Sequence, residues 1–204
     1  FAVMFGNQIL ATGSEYHLAF AVFAFLSALA GVSRQNLRRA LAAFVASQLA
    51  LIVYVQSLSL DPAIAPTLLT LSIMVSTPGI ILALGALEAR RGALSLARPS
   101  GNFESTPRLA SIMLLFGLVS AAFPSSLGFV GEDLVFQQQF AEEPLIVGIW
   151  LLVAALNAIT VVKFYLFLFH GTRTVHNGID LQTPKLVAAG LSLVFLFGMS
   201  LFVP

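Results

Sequence analysis

Cysteine is absent from the 204 residues, and charge is scarce: Asp, Glu, Lys and Arg together make up 9% of the chain. The first absence excludes disulfides, iron–sulfur ligation by this chain and any Cys-based metal box. The second sets the chain apart from soluble domains, which carry about 25% charged residues. Neither sign of charge is in excess, with ten Lys and Arg against nine Asp and Glu, so the basic footprint that nucleic acid requires is missing and no such partner is expected. The three histidines, His17, His170 and His176, are scattered without ligand spacing, and no metal or other cofactor is expected. A phosphate-cradling glycine loop and a nucleophile paired with a base are likewise missing, so the chain itself is expected to carry no catalytic site.

What is present is apolar. Hydrophobic residues make up 58% of the chain and the mean hydropathy is +0.95, the composition of an integral, multi-pass membrane protein in a lipid bilayer. The opening residues, Phe1 to Leu10, read as the last turns of a helix begun further upstream. The expectation is therefore a single transmembrane domain over 1–204 that forms the C-terminal part of a larger subunit.

Hydropathy read against charge gives five full spans: Tyr16 to Val32, Leu37 to Leu58, Ala63 to Leu87, Pro144 to His170 and Leu186 to Val203. Between the third and fourth lie two apolar pieces, Leu109 to Phe123 and Leu127 to Phe140, separated by Pro124-Ser125-Ser126. Neither reaches the roughly 20 residues that a straight transmembrane helix needs. The fold expected is an all-α bundle of about six crossings, one of them a discontinuous helix broken near Pro124, with Gly128 and Gly131 assigned to the same break. Pro78, inside the third span, removes a backbone hydrogen bond and is expected to kink it.

Charge placement tests this arrangement. Basic residues in short loops favour the cytoplasmic side, and they cluster at 34–39, at 90–108 and at 173–185, whereas Asp61 and Glu142-Glu143 mark the other ends of the spans. If the two short pieces made two full crossings, Arg173 and Lys185 would fall on the wrong side. Counted as one broken crossing, they put every basic loop on one side.

The break also locates a carboxylate. Glu132 lies about 15 Å along a helix from Glu142, the middle of a hydrocarbon core about 30 Å thick. An ionisable residue at that depth is costly, and function is its default reading. Proton exchange, not fixed charge, is the role expected of it, against the plainer one of a permanently neutral acid that pins helices together. Asp133 points about 100° away from Glu132 and is secondary. Lys163 lies toward the basic end, where snorkelling of its stem and a relay role are both open; Asn157, Thr160 and Lys163 share one helix stripe, which favours the relay. Arg38 and Gln48 are polar points on the second span, and Ser72, Ser76 and Thr77 on the third. Each of these serves equally as a helix–helix hydrogen bond.

The segment Phe-Pro-Ser-Ser-Leu-Gly-Phe-Val-Gly-Glu-Asp-Leu at residues 123–134 resembles the broken helix of the antiporter-like, proton-conducting subunits of respiratory complex I and their Mrp-antiporter and membrane-hydrogenase relatives. Gln35-Asn36-Leu37-Arg38-Arg39-Ala40-Leu41-Ala42 resembles the family segment that opens an earlier helix. Gly85 to Arg91 and Phe169-His170-Gly171 sit where the family has comparable turns. The resemblance implies a proton-translocating subunit of a multi-subunit complex such as an NADH:quinone oxidoreductase-like translocase, in a bacterial inner membrane or an equivalent energy-coupling membrane. Its partners would be other membrane subunits, including whatever supplies the missing N-terminal half. Glu132 matches the family's acidic residue in the discontinuous helix; Arg38 stands where a lysine is usual and Gln48 near a usual histidine. Those two departures thin the central relay, because arginine stays protonated and glutamine does not titrate. Two alternatives stay open: a non-conducting membrane scaffold, or the membrane partner of an inorganic-carbon uptake complex.

Overall fold

The computed structural model describes the backbone of residues 2–58, 64–171 and 180–202, and the side chains from Tyr16 to Leu201 within those ranges. Asp61, Pro62, Arg173 and His176 lie outside the described residues. Among the described residues seven helices succeed one another: α1 Ala2–Ser33, α2 Leu37–Ser57, α3 Ile64–Arg91, α4 Pro107–Ser120, α5 Leu127–Gln139, α6 Pro144–Phe169 and α7 Thr183–Gly198, with a 3₁₀ turn Met199–Phe202 after them. α1, α2, α3, α6 and the last helical stretch are long and apolar enough to cross a membrane. Their ends obey local chemistry. The Asn36 side chain accepts from the Arg39 N–H at the start of α2, and prolines occupy the first turns of α4, α6 and α7, where their missing N–H costs nothing.

α4 and α5 make one crossing between them. With 14 and 13 residues they are about 21 and 20 Å long, and they lie end to end along α3. An atom added at Gly79 of α3 would strike Phe116 of α4, one at Gly128 would meet Ser72, and one at Gly131 would meet Leu69. The α3 positions 79, 72 and 69 thus run opposite to 116, 128 and 131, as one continuous antiparallel track. The break itself spans residues 121–126, with Ala122 and Ser125 at positive φ of 51° and 71°. α5 restarts on Ser126, whose hydroxyl accepts from the Phe129 N–H at 3.3 Å.

Of Pro124, Gly128, Gly131 and Pro78, Pro124 alone interrupts its helix. Pro124 stands in the break, but Gly128 and Gly131 are helical residues of α5. Their role is contact: a Cβ on Gly131 would come within 2.6 Å of the Leu69 backbone nitrogen, so only glycine lets the two backbones approach so closely. α3 also runs through Pro78 as one helix of 28 residues, as membrane helices can when neighbouring groups take up the freed carbonyl.

The basic segments share one end of the bundle. There the Leu96 N–H donates to the Gln35 carbonyl, and the Ser100 and Phe103 N–H groups donate to Phe167 and Phe169. Asn102 Nδ2 reaches the Leu168 carbonyl at 2.7 Å. Asp180 accepts from the backbone N–H of Arg108 and Leu109 and so caps α4 from across the chain. The opposite end carries Glu142 and Glu143. Buried side chains form two clusters, one around Phe44, Leu84, Met113 and Phe164 toward the basic end and one around Tyr54, Ile73, Val135 and Trp150 toward the acidic end.

Candidate functional site: a polar cavity beside a broken helix

Where the two clusters meet, five helices leave a cavity of about 20 Å³, enough for a single water. Its polar lining is drawn from all five: Glu132 from α5, Gln48 from α2, Ser72 from α3, Ser120 at the end of α4, and Trp150 with Asn157 from α6. Gln48, Ser72, Trp150 and Asn157 are all buried. Glu132 stands on the second turn of α5, and the close α3–α5 approach at Gly128 and Gly131 holds that turn against Ser72 and Leu69. The break therefore does two jobs, ending α4 so that Ser120 reaches the cavity and restarting the helix so that Glu132 turns inward.

Hydrogen bonding around the cavity is incomplete. Trp150 Nε1, Asn157 Oδ1 and Ser120 Oγ are buried without a protein partner, and no hydrogen bond or ion pair holds Glu132 among the described residues. Buried polar groups are normally satisfied by protein or by water. Three buried polar groups without a protein partner among the described residues, on side chains that line one small cavity with a carboxyl group, give that cavity a wall able to hold a water. The Asn157 amide also donates to Ser47 Oγ at 2.9 Å, which fixes its orientation.

The remaining candidates are distributed around this centre. Gln48 shares the cavity with Glu132. Asp133 does not: it is exposed on the other side of α5 and accepts from Gln137 Nε2 at 2.7 Å. Lys163 sits at the basic end, its ammonium donating to the carbonyls of Val32 at 2.7 Å and Arg34 at 2.5 Å, where it satisfies the free carbonyls that end α1. Arg38 lies at the same end, its side chain 76% exposed and bonded through Nε to Glu88 Oε1 at 2.9 Å. Thr160 is buried between Asn157 and Lys163, its hydroxyl on the Leu156 carbonyl. The stripe Asn157, Thr160 and Lys163 thus leads from the cavity to the basic end.

The sequence reading missed the acidic half of that stripe. Trp150 and Glu143 precede Asn157 at intervals of seven residues, two helical turns each, and so fall on the same face of α6. Glu143 binds His17 Nδ1 at 3.1 Å, and Tyr54 stacks on Trp150 with ring centroids 4.9 Å apart. The seven-residue spacing was the available signal.

Comparison with known proteins agrees with this geometry. The family model for the NADH:quinone oxidoreductase/Mrp antiporter transmembrane region matches residues 3–160. Among solved structures the chain is similar to the Mrp complex from Dietzia sp., with a TM-score of 0.73 and 22% identity over 79% of this chain and 31% of that one. It is similar to respiratory complex I from Thermus thermophilus, with a TM-score of 0.72 and 24% identity over 92% of this chain and 42% of that one. It is also similar to an archaeal membrane-bound sulfane sulfur reductase, with a TM-score of 0.82 and 16% identity over 91% of this chain and 31% of that one. The chain thus spans less than half the length of each of these. No curated protein matches the sequence significantly. With the matched region covering most of the sequence and the broken helix lying inside it, this chain belongs to the NADH:quinone oxidoreductase/Mrp antiporter transmembrane family.

Proposed function

We propose that this chain conducts protons as part of an antiporter-like subunit in a larger membrane complex, with Glu132 as the carrier at mid-membrane. The observation that supports this most is the placement of Glu132 in a cavity with three buried, unsatisfied polar groups. A permanently neutral acid that only pinned helices would be bonded to a partner, whereas a carrier needs a carboxyl group that can exchange with water. Gln48 and Asn157 hold water in the cavity but do not titrate. The Asn157–Thr160–Lys163 stripe is the entry side of the route, with Lys163 at its mouth. Arg38, charged at every relevant pH, anchors the basic face, and Asp133 takes no direct part.

The setting is a complex I-like or Mrp-like assembly in a bacterial cytoplasmic membrane. Redox or carbon-hydrating chemistry would reside on other chains, and identifying the subunits that co-purify with the native complex separates those two settings. The carrier itself is tested by Glu132→Gln in the native complex reconstituted into vesicles. The expected result is driven proton uptake reduced to the passive leak with the complex still assembled; uptake at the native rate would refute the proposal.

A further inference from the structure

The route from Glu132 toward the acidic end is closed by aromatic rings. Trp150, which lines the Glu132 cavity, is covered by the Tyr54 ring at 4.9 Å and 28°. His17 from α1 meets Tyr54 edge-on, at 5.4 Å and 88°. His17 Nδ1 in turn lies 3.1 and 3.2 Å from the two carboxylate oxygens of Glu143, at the turn where α5 passes into α6. Cavity, indole, phenol, imidazole and carboxylate thus succeed one another from mid-membrane to the acidic end, and they come from α1, α2, α5 and α6.

Two features distinguish this row from ordinary packing. Among the described residues the Tyr54 hydroxyl is buried without a partner, although a buried tyrosine usually finds one. The histidine–carboxylate pair is only partly open, with side chains 16% and 19% exposed, so it sits at the boundary and not out in solvent. Tyr54 from α2 and Glu143 from the head of α6 are the titratable groups that face His17 from the two helices packed on α1, among the described residues. Glu142 beside them is exposed.

The geometry points to His17 and Glu143 as a second proton station, in series with Glu132 and separated from it by the Tyr54–Trp150 stack. The inference rests on Glu132 being the carrier, and it adds an outlet and a barrier. A proton arriving from the cavity binds Nε2 of the neutral ring, and the proton on Nδ1 passes to Glu143, which gives it to water at the acidic end. The charge is restored and the ring is left as the Nε2–H tautomer; rotation about Cβ–Cγ then turns that N–H toward Glu143 and the free Nδ1 toward the cavity, so the next proton binds Nδ1, the Nε2 proton leaves, and the starting tautomer returns. The stack keeps the two stations from short-circuiting, and the Tyr54 hydroxyl supplies the bridge when the rings shift.

The test uses the native complex in vesicles, with driven proton flux measured against the pH of the compartment that bathes the acidic end. Acid in that compartment keeps the second station loaded and unable to accept the next proton, so flux in the native complex falls as that pH is lowered. His17→Gln keeps a donor for Glu143, and it is expected to lower flux at least tenfold and to remove this dependence while the complex still co-purifies intact. Tyr54→Ala is expected to open a passive leak that persists without the driving reaction, and Tyr54→Phe to slow flux without a leak. Native flux and an unchanged pH profile in His17→Gln, alongside lost flux in Glu132→Gln, would overturn the second station and leave the carrier standing. Native flux in Glu132→Gln would remove the carrier and this inference with it. Should His17→Gln not assemble, nitrogen NMR of labelled histidine in the native complex decides: a His17 signal that keeps one tautomer as that pH is lowered overturns the inference, and interchange supports it.

Discussion

At the scale of single residues, two glycines in helices of the same bundle have opposite roles. Gly131 lies on the face of α5 that meets α3, where a Cβ would come within 2.6 Å of the Leu69 backbone nitrogen, whereas nothing lies within 4 Å of the same atom built on Gly148 in α6. Gly131→Ala must push α5 outward and is expected to destabilise the folded chain by about 1–3 kcal/mol; Gly148→Ala should be neutral or stabilising by up to about 1 kcal/mol, the helix propensity it gains. Thermal unfolding of the purified complex checks both. With Glu132 in the proposed carrier role, the displacement at the neighbouring Gly131 should also lower proton flux in that variant alone. Hydropathy cannot distinguish these glycines, since each is one small residue in an apolar run. Only the opposing backbone decides which of them is needed.

At the scale of helices, the two short pieces around Pro124 were legible because length and charge act together. A stretch of about 15 apolar residues cannot cross a bilayer alone, and the basic residues on either side permit one crossing only. The expectation that Glu132 lies at mid-membrane rests on the same arithmetic. The construction of the break did not, because it depends on backbone geometry: Ala122 and Ser125 take left-handed conformations that their side chains disfavour, and Ser126 caps the first turn of α5. Two substitutions here should act with opposite sign. Ser126→Ala removes the cap and is expected to cost about 1 kcal/mol, while Ala122→Gly relieves a left-handed residue and should recover a similar amount. Unfolding midpoints of the two variants, measured side by side, test the pair. The cavity was partly legible in the same way. Glu132, Gln48, Ser72 and Asn157 stand out as polar residues in apolar spans, but Trp150, Tyr54 and His17 read as ordinary core or boundary aromatics until the packing of α1, α2 and α6 brings them into one row.

At the scale of the whole molecule, the two ends of the bundle are held very differently. The basic end is tied by backbone bonds from the 96–103 loop to the ends of α1 and α6, by Asp180 on the head of α4 and by Lys163 on the last carbonyls of α1. Across the acidic end, among the described residues, the side-chain bond between α1 and the head of α6 is the His17–Glu143 pair. Amide hydrogen exchange should register the difference: protection at Asn102 and Phe103 is expected to exceed that at Val147 and its neighbours, because each opening at the basic end breaks several bonds at once. Asp180→Ala should raise exchange at Arg108 and Leu109 and leave Val147 unchanged, and equal protection at both ends would contradict the contrast. A bundle tied by several bonds along the basic rim, and between α1 and the head of α6 by the His17–Glu143 latch at the acidic rim, parts most readily at that latch. A neighbouring protein pressing on the outside of α1 near that rim would therefore load the His17–Glu143 pair before any bond at the basic end.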